Sequence, residues 1–444
     1  MSDYLDIATS LHTNSLTLFI GTGFSKYMTN DQAPNWLELI VECTKAIDSN
    51  EKILNQLFNT DSFGNVKEAR YDLTICAQIL EGEFIKKRKN IRDQIAEIIK
   101  IRINENTIDA GKLTHLQSFF NAHPNINVIT TNYDTIFSDF VIPITSRVVI
   151  EGSAIPRVNS GQNIYHIHGC ITRPESIILT INDYYNFQNS NNYFSRKFFT
   201  LLQESTVAIL GYSLADFNLN TILNEVKNSK KQSFRKTDIY YVTRDNVPNV
   251  MERFYSMTYG IKVIPQTQPL VFFDNINAEY PKAKALIESV KNLRDVMAGT
   301  HTYVDDFLKL RVSLTTVLLQ AASIGIESKD NTFIKTLLVL LKKKKAFTSD
   351  FNAWSQYEHL AEWLIEIASI VPIKNTEFEE EFCEIAKYSF SKCSKRLYKG
   401  YSWHAWSSWH NRWHEMKIEN QLMLEDLINN NLWDNDLQIR EIIQ

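Results

Sequence analysis

Cysteine is sparse in this sequence and never paired at short range: Cys43, Cys76, Cys170, Cys383 and Cys393 contain no Cys-x-x-Cys. This argues against a Cys-rich zinc module, whose ligands come in such pairs. Five scattered thiols also suit a reducing compartment better than a disulfide scaffold. No apolar stretch reaches the ~20 residues that a helix needs to cross a bilayer. The first residues, Met1 to Asp6, carry no apolar signal-peptide core, so a soluble, cytoplasmic protein without a membrane partner is expected. Strong charge of one sign is missing too. The net charge of -4 sets up no field that would draw nucleic acid, and no direct nucleic-acid site is evident. The basic runs Lys86 to Lys89 and Lys342 to Lys345 read as solvated faces rather than phosphate contacts. No Gly-x-x-x-x-Gly-Lys-Ser/Thr loop occurs, which argues against an ATPase of that type.

What remains is ordinary globular composition. Hydrophobic residues make up 44% and charged residues 22%, values that a disordered chain does not show. The 444 residues exceed the roughly 250–300 at which a single core stops growing, so at least two domains are expected. Texture changes along the chain. Of the ten prolines only Pro372 lies beyond Pro281, whereas every tryptophan except Trp36 lies after position 350. A joint is expected near Gly299-Thr300-His301-Thr302, with one domain over 1–290 and another over 300–444.

The first part alternates short apolar runs with turn signals and helical patterns. Leu16 to Ile20 runs into Gly21, Asn127 to Thr131 into Asn132, and Val207 to Leu210 into Gly211. Tyr165 to Ile167 precedes His168-Gly169, and Ile239 to Thr243 precedes Arg244-Asp245-Asn246. Lys87 to Ile101 has helical periodicity. This pattern predicts an α/β domain with a Rossmann-like, mainly parallel sheet. The second part shows only helical spacing, over 304–323, 332–341, 357–370, 378–390 and 418–432, and predicts an α-helical domain.

Gly21-Thr22-Gly23-Phe24-Ser25 follows the first strand directly. Two glycines there allow a tight turn and close approach of the backbone to a pyrophosphate, and Ser25 adds a hydroxyl. The third glycine of a dinucleotide fingerprint is replaced by Lys26, so the loop alone reads equally well as a tight strand-to-helix turn.

Three later segments change the weight of that loop: Thr131-Asn132-Tyr133-Asp134, His168-Gly169 and Gly211-Tyr212-Ser213. In this order the four motifs resemble the sirtuin family, and most closely the sirtuin-like NADase domains of bacterial anti-phage defence systems. Lys26, Leu179-Thr180, Asp183-Tyr184, Leu214 and Asp216 carry the flavour of that branch. The resemblance covers about residues 1–285. It implies NAD as substrate. Asn132 and Asp134 would then sit by the nicotinamide and its ribose, and His168 would contact that ribose and assist the chemistry. Gly21, Thr22, Gly23, Phe24 and Ser25 would cradle the pyrophosphate, and Gly211 and Ser213 would face the phosphates or the adenosine ribose. Thr243, Arg244, Asp245 or Asn246 would lie at the adenosine end, with Asp245 the chosen contact.

Two departures redirect the expected activity. Protein-deacylating sirtuins carry a four-cysteine zinc module after the His-Gly pair, whereas only Cys170 follows here. Pro34-Asn35-Trp36-Leu37 stands where they carry Pro-Asp-Phe-Arg. No zinc is expected, and NAD breakdown is favoured over deacylation. The residue types suit that chemistry. Cleaving the nicotinamide–ribose bond needs a carboxylate near the developing positive charge, an amide to orient groups, and a histidine to accept a proton. Water as nucleophile gives ADP-ribose, and attack by the adenine gives a cyclic product.

By the same resemblance the protein would deplete NAD during phage infection under control of assembly or a partner. A homo-oligomer is expected. The leading partner is a HerA-type hexameric ATPase, with a phage trigger or an Argonaute-like protein as alternatives. The rival functions are an NAD- or ADP-ribose-sensing scaffold without turnover, a deacylase or ADP-ribosyltransferase, and a helical scaffold whose partner supplies all activity. Several residues are given plainer readings. His166 is taken as structural, on the opposite strand face from His168. Asp216 and Asn218 read as helix caps, and Tyr184 and Tyr185 as packing aromatics. The helix bearing Trp403, Trp406, Trp409, His410 and Trp413 reads as core or protein interface rather than as a base-stacking or metal site.

Overall fold

The computed structural model describes residues 3–48, 52–144, 146–150, 162–189, 193–214, 217–229, 239–289, 292–396 and 401–443. The chain forms two compact units. One comprises Ser2–Lys230 with Thr237–Pro281, and the other is built mainly from Lys282–Gln444.

The first unit is organised by a seven-stranded sheet. Its strands are β1 (Leu16–Ile20), β4 (Asn127–Thr130), β5 (Ser146–Val149), β6 (Gln162–His166), β7 (Thr206–Leu210), β8 (Ile239–Val242) and β9 (Ile261–Ile264). The order across the sheet is β5-β6-β4-β1-β7-β8-β9, and every pairing is parallel. β1, β6 and β7 are buried at every position, as expected where both faces of a parallel sheet are covered by helices. Hence these strands read as unbroken apolar runs rather than alternating ones.

The topology creates the site. β1 lies at the centre, with β4 on one side and β7 on the other. Chain leaving β1 is carried towards one edge, and the later strands build the other. Ligands of open parallel sheets bind at such a switch point, outside the carboxyl ends of the strands. The loops after β1, β4, β6, β7 and β8 all open there.

Between β1 and β4 the chain builds a small helical module from Trp36–Ile47, Leu73–Lys86 and Ile91–Arg102. An antiparallel hairpin, β2 (Phe58–Thr60) and β3 (Val66–Ala69), joins it. Leu39, Ile40, Cys43, Leu80, Ile95 and Ile99 fill its core. Asn35 and Glu38 form a reciprocal cap at the start of its first helix, which satisfies two backbone donors that would otherwise lack partners.

Several boundaries differ from the sequence reading. The strand expected at 165–167 is β6 and ends at His166. The helix expected from Lys87 starts at Ile91, where the Asn90 side chain accepts from the Arg92 N–H. β5, β9 and the hairpin have no counterpart in the sequence reading. In the second unit the pattern over 304–323 forms two helices, Asp305–Lys309 and Ser313–Ser323.

The second unit is helical and packs four of its indoles inward, while Trp354 and Trp403, the first of the expected tryptophan face, are exposed. Trp363, Trp406, Trp409 and Trp413 belong to its core. Trp406 Nε1 donates to the Gln438 carbonyl at 2.7 Å and Trp409 Nε1 to Ser389 Oγ at 3.1 Å, so both buried polar edges are satisfied. The run Lys342 to Lys345 is not a solvated face throughout. Lys344 is 0% exposed, and its Nζ donates to the Leu308 carbonyl at 2.8 Å and lies 5.0 Å from the Trp363 ring centroid. The helix turns this third position of the run inward while Lys342 stays at the surface. Among the described residues no helix is long and apolar enough to cross a membrane.

Candidate functional site

A cavity of about 1090 Å³ opens at the carboxyl ends of the strands, between them and the helical module. Asn132, Asp134, His168, Thr22, Gly23, Ser25, Gly211, Ser213 and Asp245 all line it. Segments separated by more than two hundred positions therefore meet in one space.

The glycines explain how. Gly23 N–H donates to the Gly211 carbonyl at 2.8 Å, and Gly21 N–H to the Leu210 carbonyl at 2.9 Å. A Cβ on Gly21 would lie 2.5 Å from the Gly211 oxygen, and one on Gly211 would lie 2.1 Å from Phe24 N. Gly211 also has φ +65°, a left-handed conformation that disfavours any side chain. The loops after β1 and β7 thus cross in direct backbone contact. Gly21 is buried beneath the crossing rather than lining the cavity. Phe24 points away from it, 1% exposed and stacked on Phe137 at 5.3 Å. The Gly23 amide is given to Gly211 and that of Phe24 to Gly21, whereas the hydroxyl residues Thr22 and Ser213 are exposed at the cavity.

At the floor of the cavity three side chains form a chain of hydrogen bonds. Asn132 Nδ2 donates to Ser25 Oγ at 2.8 Å, and Ser25 Oγ donates to Asp134 Oδ2 at 2.6 Å. The other Asp134 oxygen accepts from Ile136 N–H at 3.1 Å. Burial pushes the Asp134 carboxyl above the usual range, while the Ser25 hydroxyl and the Ile136 amide pull it back. Ser25 therefore serves as the link between the β1 and β4 loops.

His168 is buried, with ring centroids 5.4 Å from Tyr184 and 5.8 Å from Phe187. Its place depends on Gly169, whose φ is +87° and whose added Cβ would lie 2.2 Å from the Ser176 oxygen. Ile178 N–H donates to the His168 carbonyl at 2.9 Å. Beyond it Asp183 Oδ2 accepts from Leu179 and Thr180 N–H and from the Arg92 guanidinium at 2.6 Å. Arg92 Nε donates to the Ile177 carbonyl at 3.0 Å. The Leu179 to Tyr184 segment is thereby tied to the helical module.

His166, two positions earlier, closes β6 and does not line the cavity. Positions two apart share a strand face, so alternation does not separate it from His168 as expected; the separation arises at the turn after β6, which ends at His166. At the other end of the cavity Asp245 and Arg244 are exposed. The turn carrying them is held by Thr243, whose Oγ1 accepts from Asp245 N–H at 3.2 Å and whose carbonyl accepts from Thr267 N–H at 2.8 Å. Asn218 lies in the helix Phe217–Ser229, and Asp216 lies outside the described residues.

Two lining groups were not singled out for the site. Tyr184 packs between His168 and Trp36, the latter stacked on it at 6.2 Å, so it is both packing and wall. Leu73, Ile99 and Ile103 supply an apolar side from the helical module. A residue that faces a cavity carries the same apolar signal as one that faces a neighbour.

Comparison with known proteins finds a likeness over part of the chain. Residues 126–264 match a family described as SIR2-like domain. That range takes in Asn132, Asp134, His168, Gly211 and Asp245, and begins after the Gly21 to Ser25 loop. Over 266 residues the chain is 22% identical to Defense-associated sirtuin 2 of Bacillus subtilis, covering 58% of this chain and 24% of that protein. The chain thus spans about a quarter of the length of this curated relative.

Proposed function

Starting from a chain that carries a SIR2-like domain, we propose that it binds NAD in the cavity and hydrolyses the nicotinamide–ribose bond. The observation that carries this reading is the junction of Asn132, Ser25 and Asp134 in one hydrogen-bonded chain in a cavity that His168 also lines. In the reaction the bond from the ribose carbon to the nicotinamide nitrogen breaks, and its electron pair leaves with neutral nicotinamide. A water oxygen bonds to that carbon and gives up a proton, so the products are nicotinamide and ADP-ribose. Asp134 supplies negative charge near the developing cation. His168 accepts the proton. Asn132 orients nicotinamide or the attacking water. Thr22 and Ser213 hold the phosphates, and Asp245 faces the adenosine end.

The likeness to a defence-associated protein supports a role as an NAD-depleting effector in anti-phage defence, acting in the cytoplasm. Control through a homo-oligomer, or through a partner such as a HerA-type ATPase, belongs to the same proposal. The deciding experiment measures nicotinamide release by the purified protein, with and without its genomic neighbours. Asn132→Ala and His168→Ala are each expected to lower turnover by at least ~100-fold. No cleavage in any assembly, with ADP-ribose still bound, would replace the enzyme by a sensing scaffold.

A further inference from the structure

His166 has no part in the chemistry above, yet it is among the most enclosed polar groups of the sheet unit. It is 2% exposed and pairs with Thr130 across β6 and β4. Its Nδ1 lies 3.1 Å from the Asn132 carbonyl oxygen. A carbonyl only accepts, so Nδ1 carries the hydrogen. Burial depresses the imidazole pKa to about 4, so the ring is neutral and Nε2 is a bare acceptor. Nε2 is buried without a hydrogen-bond partner among the described residues.

Asn132 poses the same problem. Ser25 spends its hydroxyl hydrogen on Asp134, so the Asn132 atom facing Ser25 must be the donor Nδ2. That fixes Oδ1 as the opposite atom, and Oδ1 is also buried without a partner. Both residues line a small void of about 10 Å³ behind the β4 loop, with Ser25, Thr130 and Asp134 around it. The hydroxyls there cannot help. That of Thr130 donates to the Ile20 carbonyl and that of Ser25 to Asp134. Two acceptors without a donor need one small molecule with two hydrogens. The void is at the ~10–15 Å³ that a single water requires.

We propose that His166 is a positioning residue, which holds the Asn132 backbone through Nδ1 and its carboxamide through one buried water between Nε2 and Oδ1. Asn132 is then locked from both ends, with its amide nitrogen held by Ser25 and the Asp134 carboxylate. The catalytic consequence rests on the reading of Asn132 as part of the NAD-cleaving site.

The test compares His166→Asn with His166→Leu in the full-length protein. The asparagine amide can replace the Nδ1 donor, whereas leucine replaces neither nitrogen. Nicotinamide release by His166→Leu should fall 10–100-fold in kcat with KM little changed, as for other residues that orient a functional side chain from behind. His166→Asn should recover most of that loss. Equal activity of wild type and His166→Leu would overturn the proposal, as would losses in both variants that track their melting temperatures. A second readout does not depend on turnover. High-resolution crystal structures should show the water in the wild type and a displaced Asn132 side chain in His166→Leu. A wild type that releases no nicotinamide in any assembly defeats the enzyme reading, and the crystal structures still decide the role of His166. An empty void or an unmoved Asn132 sinks it.

Discussion

His166, buried, and Asp134, half-buried, are titratable neighbours of one asparagine, and they push stability in opposite directions with pH. The folded pKa of His166 is depressed to about 4 by burial, against about 6.5 when unfolded. Its contribution is present above pH 6.5 and is lost as pH falls towards 4, because the unfolded chain takes up a proton that the fold refuses. The folded pKa of Asp134 is raised by burial. Its contribution is present below the unfolded value near 4 and is lost as pH rises through the folded value. Between pH 7 and 4.5 the wild type should therefore lose about 2–3 kcal/mol through His166, and His166→Asn should lack that part of the slope. Urea unfolding of both proteins at the two pH values checks it, and parallel slopes would refute a neutral, buried His166. Asn132, Asp134 and His168 stood out in the sequence because the segments that carry them, each after an apolar run, resemble sirtuin motifs. The hydrogen bond of His166 did not, because its acceptor is a backbone carbonyl 34 positions away, and no residue type announces a backbone acceptor.

The loops after β1 and β7 are one device rather than two. Gly21 and Gly23 were expected to make room for a pyrophosphate and Gly211 to face the phosphates or the adenosine ribose, but the closest approach that they permit is of one loop to the other. Gly211→Ala must accommodate a Cβ 2.1 Å from Phe24 N at φ +65°. Left-handed strain of ~1–2 kcal/mol plus overpacking of ~1–3 kcal/mol gives a loss of about 2–5 kcal/mol. Gly64 is a built-in control. It has φ +82° but nothing within 4 Å of an added Cβ, so Gly64→Ala should cost only the ~1–2 kcal/mol of backbone strain. Denaturation midpoints of the two variants check the difference, and equal losses would mean that the loops are free to separate. The buried central strands were legible as apolar runs. β5 and β9 lie at the sheet edges with partly exposed positions, and four residues of mixed polarity leave no run to read. The break at Leu310 was hidden for the opposite reason, since apolar spacing continues across a helix end when both helices face one core.

Across the whole chain, the shift from proline to tryptophan has a physical basis. Pro34, Pro124, Pro143, Pro248 and Pro265 punctuate loops of the sheet unit, and the indoles of Trp363, Trp406 and Trp409 fill the helical core. Lys344 sits in that second core. Burial depresses its pKa to about 7, against about 10.4 when unfolded. The helical unit therefore gains stability as pH rises from 7 towards 10, where the fold has released a proton that the unfolded chain keeps. Lys344→Met keeps the apolar stem and removes the charge. The Leu308 and Leu310 carbonyls retain the Ser313 hydroxyl at 3.2 and 2.8 Å. Replacement of such a buried charge should stabilise the protein at pH 6 by on the order of 1–4 kcal/mol, and the advantage should shrink as pH rises. On the proposed function ADP-ribose would bind the other unit, and at a hundred times its dissociation constant it should stabilise the fold by ~2.7 kcal/mol. Calorimetry of wild type and Lys344→Met, each with and without ADP-ribose, closes a cycle between the two cores. The expected result is additivity within ~0.5 kcal/mol, because the substitution touches no group that lines the cavity. A larger coupling would mean that the helical core reports directly to the site, and control by assembly would then have a route through Lys344 and its surroundings.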